Sequence, residues 1–560
     1  MKFKIVILSM LLVFVQSIHS RGQTPANDGK KAKSSVIETE YNRIALTMIL
    51  VNNPNSGHSQ KLRTVFPSMA VPNKFDDNTL SIQIISSEEI KSDLNQAFSD
   101  KKIGNKIIAK WYNRQPDGSF NMDVISKRGL YNATDQDVLT ATAKKIGQAA
   151  LKDAGEKLLA KSYILVFDFP GLQTSEEYYN ANNVASDKRD MHGWRGSYSA
   201  QLYRLNLDEA GLAGFYNDLW INKEDDSKTK AERAAKFDAA NFPITFVSSV
   251  SGVIFSEQPK PGTQLAKLTL IKKSDDQLFQ EFVEKGIEKA EYGITSKLED
   301  FKVKTSVYGT NPISAKIGLK EGLEVDYRFF VYEQEQGNDG SIKSVRKAVI
   351  RANNHIASNL SVSTGSSNSL SQFYQIGGKE VEQGMVLRQM NDKGIGLYAN
   401  YGTGSVGGVE IGAEYMVSKL LAKYIGFSPT SLKLFGEYGM ESKVYSSQSS
   451  KSIDFTRFNV GVSKSFYFAK NFQLEPFFAY GSEKATLEGE EGNVRFLKYG
   501  VKFGANIAYN LQFVVGLNNY DFLSGITDKE GNKIVDSGTW DENFNGRKGI
   551  SFDFGLRFQF

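Results

Sequence analysis

The chain has 560 residues, and its 68 Lys and Arg residues against 63 Asp and Glu leave a net charge of +5, too dilute to indicate nucleic-acid binding. This length exceeds one ordinary hydrophobic core and predicts about two to four domains. The chain contains no cysteine, which excludes disulfides, thiolate metal sites and a cysteine-linked lipid. Glycine and aromatic residues are plentiful, with 49 Gly, 25 Tyr and 37 Phe, a composition typical of membrane β-strands.

Residues 1–22 have the pattern of an export signal peptide. Two lysines precede an apolar run from residue 5 to residue 15, and the small residues Ser20 and Gly22 suit cleavage before Gln23. Residues 23–40 are polar and charged without an apolar period, which predicts a flexible lead-in. We therefore expect an exported protein that carries no lipid anchor.

Residues 41–255 mix helical and strand patterns, which predicts an α+β or α/β domain. Apolar residues recur near helical spacing over 134–161, with Gly155 as an interruption, and the run Tyr163–Phe169 is typical of a buried strand. The other predicted elements are a strand or helix start at Ile44–Val51, a half-buried strand at Tyr198–Leu207, a helix at Leu212–Trp220 and a strand at Phe242–Val250.

Residues 256–300 are predicted to form a strand–helix connector. A strand is expected over Leu265–Ile271, and Ser274 with Gln277 forms a candidate capping box for the helix that follows. Residues 301–390 show short strands between glycine-rich turns, which predicts a small all-β module that serves as a spacer or docking unit. Its predicted strands are Ala315–Leu319, Leu323–Glu333, Ser344–Ala352 and Met385–Met390, with turns at Lys316–Gly322 and Gly377–Gly378.

Residues 391–560 carry the clearest pattern, and the cleanest part of it is the end of the chain. Every second residue from Ile550 to Phe560 is apolar, while the residues between them are small, polar or charged. Alternation over this length suits a tilted strand that crosses a bilayer. A soluble edge strand this apolar would invite aggregation, so the pattern favours a lipid-facing strand.

The same alternation recurs upstream and predicts an antiparallel barrel of about eight strands. The earlier strands are predicted at 395–401, 409–417, 432–440, 457–468, 472–480, 497–509 and 511–517. Short links at 469–471 and 509–510 lie opposite long polar loops near 441–452, 481–493 and 521–548, as in outer-membrane barrels, and a short helix is predicted in the link 418–430. An even strand count places both barrel ends in the periplasm, so the residues before the barrel are expected there too.

Residues 391–560 resemble the OmpA-type, porin-like eight-stranded barrels of bacterial outer membranes, on the strand pattern and on the terminal Phe560. The resemblance implies that lipid and the barrel assembly machinery are partners. Its C-terminal assembly signal would consist of Phe554, Leu556, Phe558 and Phe560. In the OmpA family the barrel comes first and a peptidoglycan-binding domain follows, so that family's peptidoglycan-binding residues are not carried over.

Charged residues of both signs fall on the inward face of the predicted strands. A barrel of about eight strands is just wide enough inside for side chains, which predicts a structural ion-pair network that plugs the lumen. A gated ion path is the alternative, whereas a wide porin channel is excluded. The predicted network consists of Glu410, Glu414, Glu437, Arg457, Lys498, Lys502, Asp553 and Arg557.

No catalytic, cofactor or metal motif is found in the sequence. The three histidines after the signal peptide, His58, His192 and His355, are far apart, which disfavours histidine catalysis and multi-histidine metal sites. Asp168 ends an apolar strand and is interpreted as a cap or turn former rather than a site. A cluster of aromatic residues predicts an ordinary hydrophobic core, with a sugar- or peptide-binding groove as the alternative. A set of acidic residues in the last long loop is a weak candidate for binding Ca²⁺. These two groups are Trp194, Tyr198, Tyr203, Phe215, Tyr216 and Trp220, and Asp528, Glu530, Asp536, Asp541 and Glu542.

These patterns predict a non-enzymatic outer-membrane protein of a Gram-negative-type bacterium, with a barrel anchor, surface loops outside the cell and a periplasmic interaction module. Its expected partner in the periplasm is an unidentified protein, and no cofactor is expected. One alternative is a transport or secretion component with a narrow or oligomeric pore. A further alternative is an autotransporter-like exporter or adhesin whose N-terminal domains lie outside the cell.

Overall fold

The computed structural model describes residues 43–91, 93–132, 147–263, 266, 272–336, 342–360, 370–418, 420–421, 429–445, 452–523, 525–528, 530–531 and 538–560. The predicted signal peptide at 1–22 and lead-in at 23–40 lie outside these residues. The chain divides into two compact units, one of residues 1–37 and 334–345 and one of residues 38–333 and 346–560. In the first unit, the described residues are 334–336 and 342–345, which are the ends of two strands. Apart from these strand ends, the features below belong to the second unit.

The first folded region is built on a mixed β-sheet. Its strands are β1 (Ile44–Asn52), β2 (Phe75–Asp77), β3 (Ile84–Ser86), β4 (Ser162–Asp168), β5 (Gln173–Thr174), β6 (Met191–Leu205) and β7 (Ile244–Pro259). β1 pairs in parallel with β2, β3 and β4, whereas β6 is antiparallel to β4, β5 and β7. The parallel part is an α/β arrangement, to which β6 and β7 add an antiparallel extension.

Helices cover both faces of this sheet. They are α1 (Ser59–Val65), α2 (Leu94–Asp100), α3 (Ile103–Trp111), α4 (Asp123–Asn132), α5 (Gly147–Ala160), α6 (Ser175–Ala181), α7 (Glu209–Gly214), α8 (Ser227–Ala239) and α9 (Asp275–Lys297). Because alternate strand residues point to opposite faces, Leu50 and Phe167 share one core with Phe282 of α9, while Ile49 shares the other core with Trp111 of α3.

The helix α9 belongs to this sheet, which corrects the predicted boundary at residue 255 and the predicted connector at 256–300. β7 continues to Pro259, and the apolar face of α9 packs on the sheet. The predicted capping box is present, since the Ser274 hydroxyl accepts a hydrogen bond from the Gln277 N–H at 3.2 Å. The predicted strand at 265–271 lies, except for residue 266, outside the described residues.

The predicted helix over 134–161 is described as α5, and residues 133–146 lie outside the described part of the chain. Gly155 does not interrupt this helix, contrary to the prediction. A Cβ at Gly155 would lie 2.3 Å from the carbonyl oxygen of Ile125 in α4. Glycine at this position therefore lets the two helices approach closely.

The remaining elements of this region follow the predicted pattern with different bounds. The ambiguous segment Ile44–Val51 is the strand β1, and the predicted strands near 163, 198 and 242 are β4, β6 and β7. The predicted helix at Leu212–Trp220 is α7 followed by a π-helical turn, Phe215–Leu219. The largest differences are the start of β6 at Met191 and the end of β7 at Pro259, because these two strands pair with each other well beyond their apolar runs.

The second region is a closed six-stranded barrel, here called the small barrel. Its strands are β8 (Lys304–Thr310), β9 (Ile313–Ala315), β10 (Arg328–Gln336), β11 (Ile342–Ala352), β12 (Ser371–Gly378) and β13 (Val386–Gln389), in the order β10-β11-β12-β9-β8-β13. Its interior is a compact apolar core that includes Phe329, Ile350, Phe373 and Leu387.

Two predictions for the small barrel are wrong in detail. The strand predicted at Ala315–Leu319 ends at Ala315, because Leu319–Glu321 forms a 3₁₀ turn. The turn predicted at Gly377–Gly378 is part of β12, which pairs with β11. Gly378 has φ +102°, and a Cβ there would lie 2.4 Å from the Lys347 carbonyl oxygen, so glycine is needed for the pairing and not for a turn.

The third region is a closed antiparallel barrel, here called the large barrel. Its strands are β14 (Ile395–Gly404), β15 (Gly408–Met416), β16 (Leu432–Val444), β17 (Ser452–Lys464), β18 (Phe466–Phe468), β19 (Phe472–Leu487), β20 (Glu490–Ala508), β21 (Leu511–Phe522) and β22 (Gly549–Gln559). β14 pairs with β22 and β17 pairs with β19, which closes a ring of eight strands. The short strand β18 continues β17 and pairs with the start of β19.

The connections of the large barrel differ between its two ends. At one end, the short-turn end, the links at 469–471 and 509–510 are as short as predicted. At the other, the long-loop end, residues 523–548 connect β21 to β22 and contain the helix α10 (Trp540–Asn543). Of the helix predicted at 418–430, residues 418, 420 and 421 are helical and residues 429 and 430 are not, while 419 and 422–428 lie outside the described residues.

The long loop predicted near 481–493 is wrong. β19 and β20 continue through this segment and meet in a two-residue turn at Glu488–Gly489, with φ of +53° and +96°. Two positive φ values match the twist of a tight hairpin. The segment is polar on both faces, so its alternation is weak although its backbone pairs fully.

Candidate functional site

The large barrel turns apolar side chains outward and polar side chains inward. Because strand residues alternate between faces, each strand presents every second residue to the outside. Outward apolar residues include Tyr401, Ile411, Leu434, Phe458, Val460, Phe478, Val515, Leu517, Phe552, Phe554 and Leu556, all exposed. Phe468, Phe472 and Phe503 lie in contact near the short-turn end, with ring centroids 5.5–6.2 Å apart. The exterior is thus an apolar belt that carries aromatic residues, typical of lipid-facing barrels.

The lumen at the short-turn end is filled by charged side chains centred on Glu475. The Arg557 guanidinium contacts both carboxylate oxygens of Glu475, at 2.8 and 3.0 Å. The Lys433 ammonium lies 2.9 Å from Glu475 and 3.0 Å from Glu414. Gln473 adds an amide hydrogen bond of 2.6 Å to Glu475. All five side chains are buried, so each charge is neutralised inside the barrel.

The middle of the lumen is centred on Glu437. Lys498 and Lys502 donate to its two carboxylate oxygens at 2.7 and 2.8 Å, and the Tyr398 hydroxyl donates at 2.8 Å. Lys498 also contacts Glu410 at 2.8 Å. These contacts join four strands, β14, β15, β16 and β20, across the lumen.

The lumen at the long-loop end is centred on Glu483. The Arg547 guanidinium donates two hydrogen bonds of 2.6 Å to Glu483, and a further one of 2.7 Å to Glu441. The Arg457 guanidinium lies 3.8 Å from Glu483 and donates to the Gly407 carbonyl. Arg547 comes from the long connection before β22, so this ion pair fastens that connection to the barrel wall.

An apolar cluster covers the lumen at the long-loop end. Trp540 of α10 is buried and donates from its indole nitrogen to Glu483 at 2.9 Å. The ring centroids of Trp540 and Phe544 are 4.7 Å apart, and the guanidinium carbon of Arg547 lies 3.5 Å from the centroid of the Phe455 ring. The cluster also contains Tyr445, Ile453, Ala485, Val494 and Ile526. Because Trp540 and Arg547 both donate hydrogen bonds to Glu483, residues 540–547 are held over this end of the lumen and are here called the lid.

The small barrel closes the short-turn end. Asp326, which precedes β10, accepts a hydrogen bond of 2.8 Å from the Ser431 N–H of the large barrel and one of 2.7 Å from the Tyr374 hydroxyl. Burial raises the pKa of Tyr374 well above its usual value, with a further contribution from Asp326, so Tyr374 remains a hydrogen-bond donor. Arg351 of β11 forms a buried ion pair with Asp392, which leads into β14.

The junction extends to the other short links. Arg328 donates to the Tyr509 carbonyl at 2.5 Å, and burial together with Arg351 lowers the pKa of Arg328 to about 10, so its charge persists at neutral pH. The Gly378 N–H donates to Asn471 at 2.6 Å. A cavity of about 10 Å³ touches both Arg351 of this junction and Lys433 of the lumen. It has room for about one water molecule.

All eight residues predicted for the lumen network are buried inside the large barrel and lie in ion pairs with one another or with further lumen residues. Sequence reasoning missed Lys433, Glu441, Glu475, Glu483 and Arg547. Lys433 has the same strand parity as Glu437, so this signal was present in the sequence. Phe554, Leu556 and Phe560 are exposed on the outer surface, and Phe558 packs 4.7 Å from Phe560.

The other candidates from the sequence do not converge on one site. Trp194 and Tyr198 belong to one core of the α/β sheet, and Tyr203 and Phe215, with Tyr216 and Trp220 packed against them, belong to the other core. The aromatic residues therefore form two cores and no common groove.

The polar candidates are also separate. His58 pairs with Glu177 at 2.8 Å, His192 contacts Gln258, and His355 lies in the small barrel region. Asp168 is exposed at the end of β4. Within the described residues no group of three or more His, Asp or Glu side chains is placed to hold a metal ion, and Asp536 lies outside them.

No family model matches the chain, and no curated protein matches it. Among solved structures it is similar to a major outer membrane protein of Thermus thermophilus, with 13% identity and a TM-score of 0.21 over 30% of this chain and 98% of that one. It is also similar to Ail, the attachment invasion locus protein of Yersinia pestis, with 12% identity, a TM-score of 0.18 and coverage of 30% and 95%. Neisserial surface protein A gives 12% identity, a TM-score of 0.19 and coverage of 30% and 94%.

In the described part of the chain, no helix has the length and apolar character needed to cross a membrane.

Proposed function

We propose that the chain is an outer-membrane protein whose large barrel is a sealed anchor for a periplasmic interaction module. The observation that carries the proposal is the contrast between the two faces of the large barrel. Its outside is an exposed apolar belt, and its inside is filled with neutralised ion pairs. An apolar exterior of this extent favours lipid as its surroundings, since exposed apolar patches of this size are rare on soluble monomers.

The direction of insertion follows from the two barrel ends. β14 begins and β22 finishes at the short-turn end, where Gly396 pairs with Gln559. Short turns face the periplasm in outer-membrane barrels. The residues before β14, which include the small barrel and the α/β sheet, therefore belong on the periplasmic side, and the lid belongs outside the cell.

The barrel resembles the OmpA type in strand number and in its closed lumen, with the order of soluble and membrane parts reversed. We place the C-terminal residues Phe554, Leu556, Phe558 and Phe560 as the signal for the barrel assembly machinery. The soluble part acts by binding a periplasmic protein and not by catalysis. Turnover of a substrate by the purified full-length protein would contradict this part of the proposal.

Single cysteines test the direction of insertion, because the natural chain has none. Glu490→Cys places a thiol at the tip of the β19–β20 hairpin, and Lys228→Cys places one on α8, where the lysine side chain is 86% exposed. We expect a membrane-impermeant maleimide to label only the Glu490→Cys variant on intact cells. Both variants should be labelled after the cells are lysed, which controls for reactivity.

The labelling pattern separates the proposal from its rivals. Labelling of both variants on intact cells would place the α/β sheet outside and favour an adhesin or autotransporter-like protein. Labelling of Lys228→Cys alone on intact cells would mean that the barrel has the opposite orientation in the membrane. Either result contradicts the proposed topology.

Conductance tests whether the lumen is sealed. Buried ion pairs centred on Glu475, Glu437 and Glu483 lie at three levels of a lumen that is just wide enough for side chains. We therefore expect the purified protein to be electrically silent in planar bilayers. A steady open state would favour a transport or secretion component.

A further inference from the structure

The strand β7 is a long edge strand of the α/β sheet. It spans Ile244–Pro259 and pairs along its length with β6, and no described strand pairs with its other edge. Long edge strands expose a row of backbone N–H and C=O groups that another strand can use. Three large apolar side chains of β7 are also exposed, namely Phe246 at 52%, Val253 at 53% and Phe255 at 48%.

Lysines of α9 lie along this free edge. Lys285 donates to the Phe255 carbonyl at 3.0 Å, and Lys289 donates to the Val253 carbonyl at 2.8 Å. In the same way, Lys297 donates to the carbonyl of Ser249 at 2.6 Å. These carbonyls therefore point away from β6. In an antiparallel strand the N–H of a residue points to the same side as its C=O, so the N–H groups of these residues also face the free edge.

The lysine row carries positive charge that nearby carboxylates only partly balance. Lys285 contacts Glu281 at 2.9 Å. For Lys289 and Lys297, no carboxylate among the described residues lies within ion-pair distance, and their contacts are the backbone carbonyls of β7. The edge of β7 is thus bordered by two ammonium groups without an acidic partner in the described structure.

We propose that the free edge of β7 is a docking site for an extended acidic segment of a partner protein, which adds to the sheet as a further β-strand. Backbone hydrogen bonds to the N–H groups of Val253 and Phe255 would supply the pairing, and acidic side chains at alternate positions would engage the lysines. The exposed side chains of Val253 and Phe255 would pack against apolar side chains on the other face of the added strand.

The lysine row favours an acidic segment over a second copy of the chain as the partner of the β7 edge. Two β7 edges brought together would place two rows of lysines side by side, and like charges at a strand junction are destabilising. Neutral strands would have to displace the lysines from the carbonyls without offering them a counter-charge. An acidic strand offers that counter-charge.

This inference goes beyond the proposed function and does not depend on which side of a membrane the α/β sheet occupies. The probe is a fluorescein-labelled peptide of about ten residues that alternates Glu and Val, compared with the same peptide carrying Lys for Glu. Its binding to the full-length protein in detergent is followed by fluorescence anisotropy. We expect saturable binding of the acidic peptide, and no binding of either peptide overturns the proposal.

Charge reversal tests the lysine row. The double variant Lys289→Glu/Lys297→Glu should weaken binding of the acidic peptide by at least about tenfold, because two favourable charge contacts become repulsive. The matched control Lys223→Glu/Lys228→Glu changes the same net charge on another surface and should bind as the natural chain does. Equal weakening by both pairs indicates a general charge effect and overturns the proposal.

Removing one N–H group from the β7 edge tests whether the peptide binds by backbone hydrogen bonds or by charge attraction alone. Val253→Pro deletes an N–H that β6 does not use and keeps every lysine, and proline is tolerated on edge strands in this orientation. We expect this variant to lose binding of the acidic peptide. An acidic peptide N-methylated at alternate residues should also fail to bind the natural chain, so the test holds even if Val253→Pro does not fold. Binding that survives backbone methylation overturns the proposal.

Discussion

Glu475 lies at the point where the lumen network is densest. Its carboxylate receives Lys433, Arg557, Gln473 and the Ser465 hydroxyl within 2.6–3.0 Å. Burying a charge is unfavourable unless partners satisfy it, and these partners are themselves buried. The network is therefore interdependent, because the loss of one carboxylate leaves two cations short of a partner.

Replacement of this carboxylate should be strongly destabilising. For Glu475→Ala we expect a loss of about 3–5 kcal/mol in the free energy of unfolding, since Arg557 and Lys433 keep only Glu414 as an acidic partner. The measurement is urea unfolding of the protein in detergent, followed by the gel mobility of the folded barrel.

Glu491→Ala is the matched control for this change. Glu491 pairs with Lys484 at 3.2 Å at a half-exposed position of the β19–β20 hairpin, and such surface pairs contribute about 0–1 kcal/mol. Similar losses for the two variants would mean that burial in the lumen adds nothing to the ion pairs.

The inward positions of the lumen residues could be predicted from the sequence because strand parity alone places a side chain inside or outside. Lys433 follows the same parity and could have been included. Glu475 was harder to find, because Pro476 and Phe477 blur the alternation at the start of β19. Arg547 could not be predicted, since it enters the lumen from a long connection whose path depends on tertiary packing.

Among the secondary-structure elements, α4 and α5 depend on a close approach at Gly155. We expect Gly155→Ala to lose about 1–3 kcal/mol of stability, because the added methyl group would lie 2.3 Å from the Ile125 carbonyl oxygen and would force the helices apart. Thermal unfolding of the purified protein measures this loss.

Gly214→Ala provides the control for this helix contact. Gly214 has helical dihedral angles, and nothing lies within 4 Å of an added Cβ. Alanine there should be neutral or stabilising by up to about 1 kcal/mol. A loss of stability at Gly214 equal to that at Gly155 would contradict the packing argument.

The contact between the two barrels is tested at Tyr374. Tyr374→Phe removes the hydroxyl that lies between Asp326 and Ser431 and should cost about 1–3 kcal/mol, because Asp326 loses one of its buried donors. Hydrogen exchange at the Ser431 amide should become faster. Tyr308→Phe, at a 51% exposed tyrosine of the small barrel, should leave that amide unchanged.

Elements with a strict period were predictable, and elements whose extent depends on pairing were not. The strands of the large barrel follow from alternation, whereas the β19–β20 hairpin continues through a polar segment that resembles a loop in sequence. Likewise α9 was recognised from its capping box, but its membership of the α/β sheet depends on contacts between residues distant in sequence.

At the scale of the whole molecule, two separate structural features close the ends of the large barrel. The lid at 540–547 covers the long-loop end, and the small barrel covers the short-turn end, with the ion pairs between them. Opening one of these two ends should therefore leave the lumen closed.

This expectation is tested by releasing the lid. Arg547→Ala removes the two hydrogen bonds from Arg547 to Glu483 and leaves the one from Trp540. We expect faster proteolysis within residues 523–548, yet the protein should remain silent in planar bilayers. Lys548→Ala removes only a half-exposed contact with Asp521 and should leave the proteolysis rate unchanged. Ion conduction by Arg547→Ala would show that the lid alone seals the barrel.

The pairing of β14 with β22 joins Gly396 to Gln559, almost the whole length of the barrel sequence apart. The ring therefore cannot close until β22 has been synthesised. Until then β14 has an open edge and the apolar belt is incomplete, so in the proposed outer-membrane setting the nascent barrel must be kept from aggregating. The α/β sheet and the small barrel are synthesised earlier and have their own hydrophobic cores. They can therefore fold before β22 is available to pair with β14.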